Sequence, residues 1–321
     1  MRYQKDRLLQ LTLFILIGFG VFFSTLVNTV NASVPSKTPF ILKAEHRIIA
    51  LAPHLAQLVY AAGAGQMLVA VSEYTPTEYA GQLPKIGNAF AVNWTMLAQL
   101  KPTLVLVWGS GTSLTIKARL KSLGIATFES EPSTLSDIVQ EAQDLADKLK
   151  IDTHKNAQLS SLKTRFQALK NFNQNNQNNQ NTEHNQNIEN LISTFHPVWH
   201  KPLMTINGQH VLTDAMRYCG ARNIFAKAKG LTPTVSLAQV LREQPKVIIM
   251  TAPTTDMQLD ANVLYGKNSP WYTLIHAFPN TVQFKPIIVT LNGERFHQPG
   301  PSLIDETLVL CKALLNLKQL K

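Results

Sequence analysis

The sequence predicts an α/β fold in which two similar lobes, each built on a parallel sheet, are joined by one helix. From position 47 onward, short apolar segments alternate with amphipathic helical segments, which is typical of parallel strands with crossover helices. Segments 97–107 and 240–250 also share one pattern, in which a proline ends a helix and an apolar strand follows. Two similar lobes account for this duplication, and a chance repeat of a common α/β motif is the alternative.

The first lobe is expected over residues 46–150, where Gly63 and Gly65 end the first helix. Its predicted strands lie at 47–51, 68–71, 104–108 and 126–128, and its predicted helices at 54–62, 94–100, 116–123 and 135–149. The second lobe is expected over residues 191–317, with strands at 191–195 and 247–250 and helices at 212–218 and 237–242. Both halves therefore have the alternating elements of a Rossmann-like lobe.

A single interdomain helix is predicted within residues 151–172. Apolar side chains follow helical spacing there, and neither glycine nor proline interrupts the segment from 154 to 172. A helix of that length extends about 28 Å. It leads into an insertion at 173–190 that is rich in Asn and Gln, a composition typical of disordered surface segments.

Composition excludes several classes of protein. The chain has 321 residues, 45% of them hydrophobic, and its one long apolar run lies at the N-terminus, which excludes a multi-span channel or transporter. The formal net charge is +10. The basic residues are scattered singly rather than clustered, so no nucleic-acid partner is expected.

The N-terminus predicts export. Arg2, Lys5 and Arg7 precede the apolar run at 8–27, and small residues follow near position 32, which is the pattern of a cleaved secretory signal peptide over residues 1–32. An uncleaved anchor helix is the alternative, because the run has about 20 residues. In both cases the folded part is expected in the periplasm.

The two cysteines, Cys219 and Cys311, are expected to form a disulfide bond, because an exported protein folds in an oxidising compartment. The closed loop of about 90 residues corresponds to roughly 4 kcal/mol in a chain-entropy model. Two separately buried thiols are the alternative.

No catalytic motif is found, so the chain is not expected to be an enzyme. The turn after the first strand lacks the Gly-x-Gly-x-x-Gly pattern of a dinucleotide site, and neither a Walker lysine nor a His-Glu-x-x-His pair is present. His196 and His200 form a weak candidate metal site. His210 and His297 are predicted to face the same side, so a periplasmic metal-dependent enzyme stays open as an alternative.

Large aromatic side chains follow several of the predicted strands. Tyr74, Phe90, Trp108 and Trp199 all lie in or next to loops at the carboxyl ends of strands. These loops form the ligand crevice of open α/β sheets, and aromatic side chains supply flat contact faces there. Ordinary partial burial at the junction of loop and strand is the alternative for each of them.

Several segments together resemble the Fe/B12 periplasmic-binding domain of class III substrate-binding proteins, and are most similar to the cobalamin-binding proteins of vitamin B12 ABC importers. The matching segments lie at 47–54, 63–65, 69–74, 83–87, 100–102 and 107–111 in the first lobe and at 202–208, 219–225, 233–236 and 298–301 in the second. The resemblance covers residues 46–317 apart from the Asn/Gln-rich insertion.

The resemblance implies a receptor without catalytic activity, in which a rigid interdomain helix limits closure of the lobes. It implies a monomer that receives cobalamin, or haem or a ferric siderophore as the runner-up, and delivers it to an inner-membrane ABC permease and its ATPase. The positions expected to line the site are Tyr74, Phe90, Trp108, Met204, and Asn292, Arg295 and Gln298 in the loop 292–298. Trp199 joins them because of its place after a strand, and Cys219 and Cys311 match a disulfide of the family.

The chain departs from the family pattern at several positions. Thr95 and Ala238 occupy the positions of two carboxylates, one on each lobe, that dock onto arginines of the permease in the relatives. Gln298 and Ser302 replace arginines of the last loop, for which Arg295 is a candidate substitute. Because of these departures, a further alternative is that the chain is a vestigial receptor that acts as a sensor.

Overall fold

The protein is described by a computed structural model over residues 46–178, 191–252 and 286–319. The predicted signal peptide and residues 179–190 of the insertion lie outside the described residues. Within these ranges, no helix is both long and apolar enough to cross a membrane.

The first lobe contains a four-stranded sheet in which every pair of neighbouring strands is parallel. Its strands are β1 (Ile48–Ala50), β2 (Leu68–Val71), β3 (Leu104–Trp108) and β4 (Thr127–Ser130), in the order β2-β1-β3-β4. Its helices are α1 (Pro53–Ala61), α2 (Thr77–Ala80), α3 (Trp94–Leu100), α4 (Leu114–Ser122) and α5 (Leu135–Lys148), with a 3-10 turn at Gly65–Met67. Strands β1, β2 and β3 are almost entirely buried, which explains why their sequences are continuous apolar runs, whereas the edge strand β4 is partly exposed and mixed in sequence.

The second lobe repeats this arrangement. Its sheet contains β5 (Ile192–Phe195), β8 (Ala221–Asn223), β9 (Val247–Ala252) and β10 (Ile287–Asn292), all parallel, in the order β8-β5-β9-β10. In both lobes the first strand therefore lies between the second and the third. A two-stranded antiparallel ribbon, β6 (Trp199–His200) with β7 (Leu203–Met204), follows β5. The helices are α7 (Val211–Tyr218), α8 (Leu237–Glu243), α9 (Gly293–Phe296) and α10 (Pro301–Gln319).

The duplicated sequence segments adopt the same local structure. Helices α3 and α8 begin at the capping side chains of Asn93 and Ser236, which accept hydrogen bonds from backbone amides. They end at Lys101 and Gln244, whose φ angles are 46° and 43°. A proline follows each of these residues and disfavours a further helical turn, so the chain leaves the helix through the left-handed region and enters a buried strand. The repeat is therefore structural rather than a chance similarity.

The helix between the lobes, α6 (Ala157–Asn178), extends further than predicted. It begins three residues after position 154 and continues through 173–178, so the first part of the Asn/Gln-rich insertion is helical rather than disordered. Once a helix is nucleated, each added residue contributes one backbone hydrogen bond, and Gln and Asn are tolerated in helices. The prediction of disorder is therefore wrong for these six positions.

One hydrophobic core extends through both lobes. It contains apolar side chains of α1, α5 and α6 together with those of α7 and α10, including Leu55, Leu145, Leu162, Met216 and Leu310. Smaller cores cover the other face of each sheet, one per lobe. The lobes therefore share their central packing instead of having separate cores joined by a hinge.

The predicted disulfide bond is confirmed. Cys219, directly after α7, is bonded to Cys311 in α10, with a Cα–Cα distance of 4.4 Å and a sequence separation of 92 residues. The bond lies within the second lobe and attaches its first helix to its last.

Candidate functional site

The carboxyl edge of the first sheet is built around Trp108, the last residue of β3. The backbone amide of Trp108 donates a hydrogen bond to Thr112 Oγ1 at 2.9 Å, and the Thr112 amide donates one to the Trp108 carbonyl at 2.9 Å. A Cβ atom on Gly111 would lie 2.0 Å from the indole ring, so only glycine allows the turn to pass this close. The ring meets His54 edge to face, with 5.2 Å between centroids.

Tyr74 and Phe90 lie on two loops that are hydrogen-bonded to each other. Glu73 donates its amide to the Gly87 carbonyl at 2.8 Å and accepts a side-chain hydrogen bond from Asn88 at 3.0 Å. Asn88 also accepts the amide of Phe90. Tyr74 is 73% exposed and Phe90 is 81% exposed, which is unusual for large apolar side chains on an ordered loop pair. Both aromatic faces are therefore available to a ligand.

In the second lobe, Trp199 and Met204 are brought together by the ribbon of β6 and β7, in which they are paired residues. The indole Nε1 of Trp199 donates to the Lys201 carbonyl at 3.0 Å, while 61% of the side chain stays exposed. The peptide bond between Lys201 and Pro202 is cis. The ribbon follows the carboxyl end of β5, on the edge of the sheet where ligands bind in this class of fold.

The loop after β10 uses two of its predicted site residues for internal contacts. Asn292 caps α9 by accepting the Arg295 amide at 3.2 Å. Arg295 forms ion pairs with Asp305 at 3.2 Å and with Glu306 at 3.5 Å, both on α10. The charge of Arg295 is thus compensated within the lobe, and its role as a substitute for the missing family arginines stays a prediction.

Gln298 connects the two lobes. Its Oε1 accepts a hydrogen bond from Gln57 Nε2 at 2.8 Å, and the Oε1 of Gln57, a buried residue of α1, accepts the Ser302 amide at 3.1 Å. Close by, a Cβ atom on Gly300 would lie 2.8 Å from that of His54. The segment from 298 to 302 therefore reaches the first lobe at the start of α1, which places the loop after β10 at the boundary between the lobes.

Three histidines cluster at the carboxyl edge of the second sheet. His196, directly after β5, is fully buried, and its Nε2 lies 3.0 Å from Nε2 of His297. Its Nδ1 lies 2.8 Å from the Ile249 carbonyl oxygen of β9. Burial, and secondarily the charge of His297, lowers the pKa of His196 to about 3. Burial also lowers the pKa of His210 to about 4, with His297 as the lesser cause.

No hydrogen bond joins the weak candidate pair His196 and His200 among the described residues. Both ring nitrogens of His196 are engaged by Ile249 and His297, whereas His200 is exposed on the ribbon. Over residues 46–178, 191–252 and 286–319, no group of three or more His, Cys, Asp or Glu side chains is arranged to hold a metal ion. The sequence predicts that His210 and His297 face the same side, and His297 is the residue whose ring contacts that of His196.

One buried histidine was not singled out from the sequence. His54 is 2% exposed, its Nε2 is buried without a hydrogen-bond partner, and burial lowers its pKa to about 3. The sequence around it gives one signal: the dipeptide Pro53–His54 begins three residues after the end of the buried strand β1, which places the ring at the carboxyl edge of the sheet.

Thr95 and Ala238, the positions at which the resemblance leads us to expect docking carboxylates, lie at equivalent places. Each is the second residue of its helix, Thr95 in α3 and Ala238 in α8, and each is exposed. The two lobes therefore present the same uncharged position to solvent.

Comparison with known proteins agrees with this geometry. The family model described as periplasmic binding protein matches residues 48–268. A vitamin B12-binding protein of Photorhabdus laumondii is 29% identical over 273 residues, which cover 84% of this chain and 87% of the relative. One of Vibrio cholerae is 30% identical over 276 residues, covering 84% and 88% of the two chains.

Solved structures give the same picture. The periplasmic vitamin B12 binding protein BtuF of Vibrio cholerae superposes with a TM-score of 0.65 at 28% identity, covering 85% of this chain and 98% of that structure. The periplasmic haem-binding protein HutB of Vibrio cholerae superposes with a TM-score of 0.63, covering 84% and 98%. At 17% identity, the second similarity concerns the fold alone.

Proposed function

The chain belongs to the periplasmic binding protein family, and from this premise we propose that it binds cobalamin or a related corrinoid in the cleft between its lobes. The observation that carries the proposal is the similarity to vitamin B12-binding proteins, which extends over 84% of the chain at 30% identity. A corrin ring presents a broad apolar plane with amide groups around it. The exposed faces of Tyr74, Phe90 and Trp199, together with the half-buried Trp108, suit such a plane.

We place the protein in the periplasm, where it captures the ligand and delivers it to an inner-membrane ABC permease without catalysing a reaction. In this proposal residues 1–32 are the signal peptide, residues 46–150 and 191–317 are the lobes, and the protein acts as a monomer. Docking on the permease relies on contacts other than carboxylates at Thr95 and Ala238, since both side chains are uncharged.

A titration of the purified protein with cyanocobalamin, followed by tryptophan fluorescence, tests this function. We expect saturable one-to-one binding. Trp108→Ala and Trp199→Ala are each expected to weaken binding by roughly three- to tenfold, through loss of aromatic contact. Trp94→Ala is the matched control, because Trp94 lies against the Arg119 guanidinium at 4.3 Å, between α3 and α4.

Haem or a ferric siderophore is the second candidate ligand. It is favoured by the imidazole of His297, which is exposed at the boundary between the lobes and is a possible iron ligand. A parallel titration with haemin separates the two: binding of haemin without binding of cyanocobalamin would replace the corrinoid by an iron chelate. If neither ligand binds, a metal-dependent enzyme or a sensor becomes the better interpretation.

A further inference from the structure

The contacts of the histidine pair fix the position of its protons. Nδ1 of His196 lies 2.8 Å from the Ile249 carbonyl oxygen, which can only accept, so Nδ1 carries the hydrogen. A neutral imidazole has one such hydrogen, and Nε2 of His196 is therefore an acceptor. The ring of His196 is fully buried, and its two nitrogens contact a carbonyl oxygen and another imidazole, with no carboxylate among the described residues to balance a charge, so the ring is neutral.

The same reasoning extends to His297. Its Nε2 lies 3.0 Å from the acceptor Nε2 of His196, so His297 donates from Nε2. A neutral imidazole carries one ring hydrogen, and in His297 that hydrogen is on Nε2. Its Nδ1 is then left with a free lone pair, and no group among the described residues donates a hydrogen bond to it.

His297 lies where a ligand in the cleft can reach it. The residue is exposed, in contrast to the buried Phe296 before it. The next residue, Gln298, contacts Gln57 of the first lobe. An imidazole nitrogen with a free lone pair is thus held at the boundary between the lobes by a fully buried neighbour.

We propose that Nδ1 of His297 coordinates the metal centre of the tetrapyrrole that binds in the cleft, with His196 as the positioning residue that holds the required tautomer. This inference rests on the proposed function and names one contact of that site. A free metal ion needs several protein ligands, whereas a corrin or porphyrin supplies four equatorial nitrogens and needs one axial ligand. The absence of a three-ligand cluster among the described residues fits the second situation.

The step is a ligand exchange. In aquocobalamin the bond from cobalt to water breaks, a bond from cobalt to Nδ1 forms, and water leaves. The oxidation state of cobalt does not change, and no proton moves because Nδ1 carries none. In cyanocobalamin the cyanide ion holds the same position tightly, so this exchange does not occur.

The two cobalamins therefore form a matched pair of probes for the full-length protein. We expect aquocobalamin to bind at least about tenfold more tightly than cyanocobalamin and to show the absorption change of imidazole ligation. His297→Ala is expected to remove both differences, so that the two cobalamins bind with the same affinity within about twofold. His196→Leu is expected to reduce the absorption change, because leucine cannot accept the hydrogen of His297 Nε2 and no longer fixes the tautomer, and His200→Ala on the exposed ribbon is the control.

The outcomes separate this inference from the proposed function. If both cobalamins bind equally, and the spectrum of aquocobalamin is the same with wild type and His297→Ala, the coordination is refuted while the corrinoid receptor stands. If neither cobalamin binds, the proposed function fails, and haemin then decides the coordination. If haemin shows a Soret shift with wild type that is lost in His297→Ala, the coordination by His297 is supported with iron in place of cobalt. If wild type shows no such shift, the coordination is refuted.

Discussion

Lowering the pH from 7 to 5 is expected to destabilise the fold, because two imidazoles are buried in the neutral form. Burial lowers the pKa of both His54 and His196 to about 3, from 6.5 for an exposed imidazole. Below pH 6.5 the unfolded chain binds protons that the folded chain does not. The stability is therefore complete above about pH 6.5 and falls as the pH decreases toward about 3, with His210 acting in the same direction.

The magnitude follows from the separation between the pKa values. At pH 5 an unfolded histidine is protonated almost completely and the buried one is not, which costs about 2 kcal/mol for each fully buried imidazole. His54 and His196 together therefore remove about 4 kcal/mol of the free energy of unfolding, a large part of the stability of an ordinary domain.

Urea denaturation at several pH values between 5 and 7.5, followed by far-ultraviolet circular dichroism, measures this loss. His196→Gln is expected to reduce the free energy of unfolding at pH 7.5. Its free energy of unfolding should also fall less steeply as the pH decreases, with a slope that is smaller by the uptake of about one proton. Carboxylates contribute equally in both proteins and cancel in the difference. His200→Gln, on the exposed ribbon, is the control. Equal slopes for wild type, His196→Gln and His54→Gln would refute the reasoning.

Three further predictions concern the disulfide, the turn beneath the indole and the contact between lobes. Cys219→Ser together with Cys311→Ser should lower the free energy of unfolding by up to about 4 kcal/mol, measured by urea denaturation, and dithiothreitol should have no added effect on this variant. Gly111→Ala should displace Trp108 and weaken cyanocobalamin binding roughly tenfold, measured by titration, while an unchanged affinity would remove Trp108 from the site. Asp214→Ala should cost about 1 to 3 kcal/mol, because its buried carboxylate accepts the first amide of α5 from the other lobe at 2.8 Å; thermal unfolding checks this.

Elements with a strong local signal could be predicted from the sequence. The boundaries of β2, α3 and β3 agree with the prediction at every residue. Buried parallel strands appear as continuous apolar runs, and capping side chains and prolines mark the helix ends. Helix α10 was not predicted, although Pro301 marks its first residue. It is buried on several faces between both lobes, so its apolar residues form no clear stripe.

The candidate site was harder to predict because its contacts are non-local. His196 and His297 are 101 residues apart, and they meet because the order β5-β9-β10 places the ends of β5 and β10 on either side of β9. β10 was not predicted, so its neighbours could not be assigned. The exposed aromatic residues were easier to find, because each follows a strand that the sequence itself marks.

The shared core decides how this protein can capture a ligand. Side chains such as Leu55 of the first lobe and Met216 of the second belong to the same buried cluster, and the buried Gln57 and Asp214 accept amides from the opposite lobe. Interiors packed in this way have few voids and resist shear. A wide opening of the lobes would expose this cluster and break both hydrogen bonds. We therefore expect little closure of the lobes when a ligand binds, and we expect selectivity to depend on the side chains that follow the strands.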